Sequence, residues 1–207
     1  SYVGSYSGTS VKELVSKLKK FLNINNDWAR NKRSYQGALN YLIAQCEKQR
    51  IMVMVNGIVG FNTHRTLDVQ EFRGFVLVDN MAPLIFINGA DAKSAQIFTL
   101  IHEVAHLIIG SSAIVEASPL NEVDASIEQL CNRAAAELLC PENNLRQDWH
   151  THYGDEGVYQ TLADNFKVSP IVIARRALEL NLISRYEFIA FYEDYRKGIP
   201  KNIGSSK

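Results

Sequence analysis

The chain has 207 residues, 46% apolar and 21% charged, the usage of an ordinary globular protein, which excludes a disordered chain. Its 22 Lys and Arg balance 22 Asp and Glu, so no bulk field holds a polyanion or an anionic membrane, and any nucleic-acid contact needs a local patch. No apolar run reaches the length of a spanning helix, and the start lacks a signal-peptide pattern. Cys46, Cys131 and Cys140 are odd in number and form no C-x-x-C motif, so buried free thiols in a reducing, cytoplasmic compartment are expected.

Residues 1–10 are polar, start without Met, and read as a disordered tail or tag. Apolar residues at helical spacing then predict helices over 11–22 and 27–49. Short β-branched and aromatic runs at 51–55, 75–79 and 84–88 predict strands, the last two joined by a loop of hairpin length, hence a small antiparallel sheet. The pattern returns to helical period over 92–109, with Asp91 as expected N-cap and Gly110 as stop. That helix is apolar nearly all round, which suits the middle of a domain. A loop over 111–120 leads to Asn121, a second N-cap candidate, and to a helix that Pro141 ends near Leu139. Segments near 143–150, 157–166, 169–180 and 184–196 read as further helices. The expected class is α+β and mostly helical: a core over 11–141, a helical C-terminal region over 142–199, and a flexible tail over 200–207.

Inside the buried helix, His102-Glu103-Val104-Ala105-His106 matches H-E-x-x-H. At 3.6 residues per turn a spacing of four stacks both imidazoles on one face, so both can reach a single Zn²⁺ at about 2.0–2.1 Å. Glu103, one position on, cannot join them as a ligand but can reach water at the metal and act as general base. Two imidazoles and a carboxylate in an apolar helix cost several kcal/mol unless paired or metal-bound.

A catalytic zinc takes three protein ligands, and Glu116, Glu122, Asp124 and Glu128 are the downstream candidates. Glu128 is best placed, on the helix face shared with Asn132 and Ala135. Ala134, Ala135 and Ala136 keep that helix thin enough to approach the first. Asp124, one turn earlier, suits an outer partner for a ligand histidine, and Asn132 is a second such candidate.

The runs Glu71-Phe72-Arg73-Gly74-Phe75, Ala82-Pro83-Leu84-Ile85-Phe86-Ile87-Asn88, Phe98-Thr99-Leu100-Ile101 before the H-E-x-x-H motif, and Glu128-x-x-x-Asn132-x-x-Ala135-Ala136-x-Leu138-Leu139-x-Pro141 together resemble the ImmA/IrrE family of zinc metallo-endopeptidases. The resemblance covers roughly residues 51–141, and the helical tail is similar in kind. It implies a zincin-like fold with Glu128 as third zinc ligand, and a protease that cleaves a helix-turn-helix repressor or antitoxin and so controls transcription. It also implies that the chain is the catalytic portion of a longer protein with its own helix-turn-helix domain. Cys140 stands where that family often has Met.

Three weaker signals complete the reading. The strand at Leu84–Asn88 is the candidate edge for aligning a peptide substrate. His64, His150 and His152 lack a partner at ligand spacing and read as surface residues. Residues 162–180 look like a helix-turn-helix, with Arg175, Arg176 and Arg185 in or after its second helix. The competing function is therefore a DNA- or partner-binding regulator with a structural or vestigial zinc site.

Overall fold

The computed structural model describes residues 2–60, 62–110 and 122–198, leaving aside the side chains of 122–124. Helix α1 (Val11–Leu22) buries Leu14, Val15, Leu18 and Leu22, starts where Ser10 accepts a hydrogen bond from the Glu13 N–H, and stops at Asn23 in the left-handed region. Helix α2 (Tyr35–Lys48) begins later than the apolar pattern predicts. Ser34 caps it by accepting from the Gly37 N–H at 3.0 Å, and the turns before it bury Trp28 without a helix.

The strands are β1 (Met52–Asn56), β2 (Ile58–Val59), β3 (Asn62–Thr66), β4 (Gly74–Leu77) and β5 (Leu84–Asn88). The expected hairpin exists, β4 pairing antiparallel to β5 with Phe75 opposite Phe86. The sheet as a whole is mixed, because β1 lies parallel to β5 on its other side, in the order β1-β5-β4. Chain direction explains this. The β2–β3 excursion returns the chain as β4, and β5 turns back into the space between β4 and β1, which fixes its direction along β1. That two-stranded excursion has no signature in the sequence, since β3 is exposed at every position and carries no apolar alternation.

Helix α3 (Lys93–Ile109) packs under β4 and β5, and its buried residues run round most of its circumference. Ala92, not Asp91, is its N-cap, and Ala92 has no side chain with which to cap. Asp91 instead pairs with Arg73 at 3.1 Å, while the Gln96 amide donates to the Gly89 and Asp91 carbonyls. Gly110, at φ 82°, ends the helix as expected.

Helices α4 (Glu122–Leu139), α5 (Glu142–His152), α6 (Val158–Phe166), α7 (Pro170–Glu179) and α8 (Arg185–Gly198) follow. Leu145, Trp149, Leu162, Phe166 and Ile173 belong to the same core cluster as α1 to α4. The Arg30 guanidinium donates to both Asp148 oxygens at 2.9 Å, tying the turns before α2 to α5, and the Tyr35 hydroxyl donates to Asp164 at 2.9 Å. Among the described residues, no helix is long and apolar enough to cross a membrane.

The amino-terminal segment departs from expectation. Tyr6 is buried, its N–H donates to the Ile108 carbonyl at 3.1 Å, and its hydroxyl donates to Ser10, so residues 2–10 pack against the end of α3 and are not a free tail. The expected loop at 111–120, the Asn121 cap and the tail at 200–207 lie outside the described residues.

Candidate metal centre

Two helices build the site. Helix α3 carries His102 and His106 one turn apart, and α4 carries Glu128 opposite them. The close approach comes from small buried residues on α4, where Cys131, Ala134 and Ala135 are fully buried. One ligand atom each from His102, His106 and Glu128 lie within 4.8 Å of one another. The two Nε2 atoms are 3.0 Å apart, the Glu128 carboxylate lies 3.3 Å from His102 Nε2 and 2.9 Å from His106 Nε2, and its side chain is 48% exposed.

This donor set fits a metal ion. Two imidazole Nε2 atoms and a carboxylate turned toward one another at these distances repel as bare lone pairs, so a cation or protons must lie between them. Two donors each about 2.05 Å from a tetrahedral ion lie roughly 3.3 Å apart, close to the three separations here. The Glu128 carboxyl is held well below the usual carboxylate range by hydrogen bonds from His102 and His106, against partial burial, so it is anionic as a ligand must be. The Nδ1 atoms of both histidines are buried with no hydrogen-bond partner among the described residues. The side chain of Asp124, expected as such a partner, lies outside those residues, as do the side chain of Glu122 and all of Glu116. Asn132 is exposed one turn beyond Glu128 and makes no hydrogen bond to the three donors.

Glu103 stands apart from the donor set. It is 4% exposed, burial pushes its carboxyl up to about 7, and Oε2 has no hydrogen-bond partner among the described residues. Nearby Glu128 adds to the upward shift and His102 works against it. A carboxyl titrating near neutrality is suited to accept and return a proton.

The peptide-aligning strand is corrected by the topology. Leu84–Asn88 is the central strand, paired on both sides, and cannot accept another. The edge beside α3 is β4. Asn88 N–H donates to the Arg73 carbonyl at 2.8 Å, so alternation gives Phe75 and Leu77 to the ladder with β5 and directs the N–H and C=O of Gly74 and Val76 toward the open edge.

Gly74 is the site residue that the sequence reading did not single out, although a glycine at a strand end often marks close backbone approach. A Cβ there would press on the Thr99 methyl, lie 2.8 Å from the Phe86 carbonyl oxygen, and lie 3.8 Å from Glu103 Oε1. Gly74→Ala is expected to destabilise the fold by about 1–3 kcal/mol through overpacking, read as a lower midpoint in urea unfolding. An unchanged midpoint would mean that β4 moves off α3 freely.

The remaining predicted residues do not converge. His64 is exposed on β3, His150 is exposed on α5, and His152 pairs with Asp155 at 3.1 Å. Arg176 is buried and bridges Glu137 of α4 and Glu179 of its own helix, so it ties α7 to α4 and is withdrawn from any nucleic-acid surface. Arg175 and Arg185 are exposed. All three thiols are buried, and burial pushes those of Cys46 and Cys131 up to about 12 and raises that of Cys140, as expected of inert cysteines.

No curated protein matches the chain. A family model does: the IrrE N-terminal-like domain, Peptidase_M78, matches residues 46–178. Because that span exceeds half of the chain and takes in the sheet, α3 and α4, the protein belongs to this family of metallopeptidases.

Proposed function

We propose that the chain is a zinc-dependent endopeptidase that cleaves a helix-turn-helix repressor or antitoxin, with His102, His106 and Glu128 as zinc ligands and Glu103 as general base. The observation that carries this reading is the convergence of three metal-type donors beside a buried carboxyl outside the donor set. The chemistry that zinc supplies when bound is Lewis acidity, which acidifies water and polarises a peptide carbonyl.

The chain's own residues do the rest. The Gly74 and Val76 backbone groups pair an extended peptide along β4, beside Glu103. Glu103 takes the proton from the attacking water and returns it to the leaving amine. Asp124 and Asn132 are proposed as outer partners that orient the ligand set. Residues 11–141 form the catalytic core, and 142–199 brace it, since the Arg176–Glu137 pair ties α7 to the helix that carries Glu128. A repressor or antitoxin as substrate, acting in the cytoplasm, is supported by the family resemblance.

The test is elemental analysis of the purified chain together with mass spectrometry of a digested proteome-derived peptide library. One zinc per chain and a defined set of internal cuts are expected. No zinc after metal loading and no cuts would sink the reading.

A further inference from the structure

The sheet has a second face, turned away from α3. The Cβ direction at Gly74 meets α3, and Val76, Ile85 and Ile87 are fully buried on that side. Strand alternation therefore turns Phe75 and Leu77 of β4, Leu84 and Phe86 of β5, and Met52 and Met54 of β1 the other way. The pairing register arranges these six in two apolar rows across the sheet: Met52-Leu84-Leu77 and Met54-Phe86-Phe75. Phe75 and Phe86 stack with ring centroids 5.3 Å apart. Met52, Met54 and Leu77 are 58%, 46% and 39% exposed. Neither row contains a charged residue, and both run out at the open edge of β4, the edge that borders Glu103.

We propose that this face selects the substrate, an extended protein segment carrying large apolar side chains at two positions separated by a single residue. The inference rests on the endopeptidase reading and names its specificity. An antiparallel strand added to β4 takes its ladder hydrogen bonds from Gly74 and Val76. Its residues opposite Phe75 and Leu77 then fall in the non-hydrogen-bonded pairs, where side chains sit closest. Those two residues become the fourth members of the two rows. The side chain between them turns toward α3 and the metal donors. Phe75 and Leu77 are thus specificity-determining residues, and a one-residue change in spacing turns one apolar side chain away from the face.

The test uses the 207-residue chain carrying Glu103→Gln and two fluorescein-labelled ten-residue peptides of one composition in a Ser/Lys background. One peptide has Phe and Leu separated by a single residue, and the other has them adjacent. By fluorescence anisotropy the separated peptide should bind about fivefold or more tighter. Its binding should slow hydrogen exchange at the Gly74 and Val76 amides. Leu77→Asp should abolish the preference, whereas Tyr186→Asp, exposed on α8 and outside this face, should keep it. Equal affinity for the two peptides, binding of neither, or a preference that survives Leu77→Asp would overturn the proposal. Zinc content and cleavage are read separately. A chain without zinc that still shows the spacing preference would refute the endopeptidase reading and leave this face as a peptide-binding site.

Discussion

Glu103→Gln is expected to retain its zinc and to lose hydrolysis by about 10²–10⁴-fold, the worth of a positioned general base. The expectation follows from where the carboxyl sits. It lies one residue from His102 yet outside the donor group of His102, His106 and Glu128, so an amide in its place removes proton transfer without removing a ligand. The fold should tolerate the change, because Gln has the same shape and the surroundings already disfavour charge, as the rise of the Glu103 carboxyl to about 7 shows. Two measurements on one preparation check it: zinc per chain by elemental analysis, and cut sites in a proteome-derived peptide library. Zinc at the wild-type level with cleavage gone supports the assignment. Cleavage at the wild-type rate would remove Glu103 from the chemistry, and zinc lost together with cleavage would make its role structural.

Much of this site was legible in the sequence because helical periodicity carries three-dimensional information. A spacing of four on a helix that is apolar all round puts two imidazoles on one face in a dry environment, and an alanine run on the next long helix marks where two backbones come close. Those constraints made Glu128 the best placed of four candidate carboxylates, and the structure brings it beside both histidines. The strands at 52–56, 74–77 and 84–88 were legible for a similar reason, since each is a short apolar run. Their arrangement was not. A period of two says which side chains share a face but not which strand is central, so Leu84–Asn88 looked like an edge until the parallel pairing with β1 placed it in the middle. β3 is polar and exposed at every position, and β2 is only the two residues Ile58–Val59, too short for a burial pattern to read. Tyr6 was hidden by its neighbours, one of two tyrosines in a Ser- and Gly-rich stretch whose contacts with α3 are made largely by backbone. Gly74 matters for the side chain it lacks, and close approach becomes visible only when Thr99 and the Phe86 carbonyl are seen beside it.

Glu128→Ala is expected to weaken zinc binding by more than the roughly 10–100-fold that loss of an outer partner alone costs, since it removes a proposed ligand that is the only carboxylate of the donor group. The two remaining Nε2 atoms, 3.0 Å apart on α3, offer an ion two neutral donors and no compensating charge. The effect is largest in thermal stability. At a zinc concentration about 1,000 times Kd, binding to the native state alone stabilises it by about 4.1 kcal/mol. For a chain of this size that is a rise in melting temperature of about 8–16 °C. The wild type and Glu103→Gln should both show the rise, and Glu128→Ala should lose most of it. Because the Glu128 side chain is 48% exposed, its removal leaves little cavity, and the metal-free proteins should melt within a few degrees of one another. That comparison separates a lost ligand from a damaged fold. Were Glu128→Ala stabilised by zinc as strongly as the wild type, the third ligand would have to come from another residue, and the geometry joining α3 to α4 would have a purpose other than holding metal.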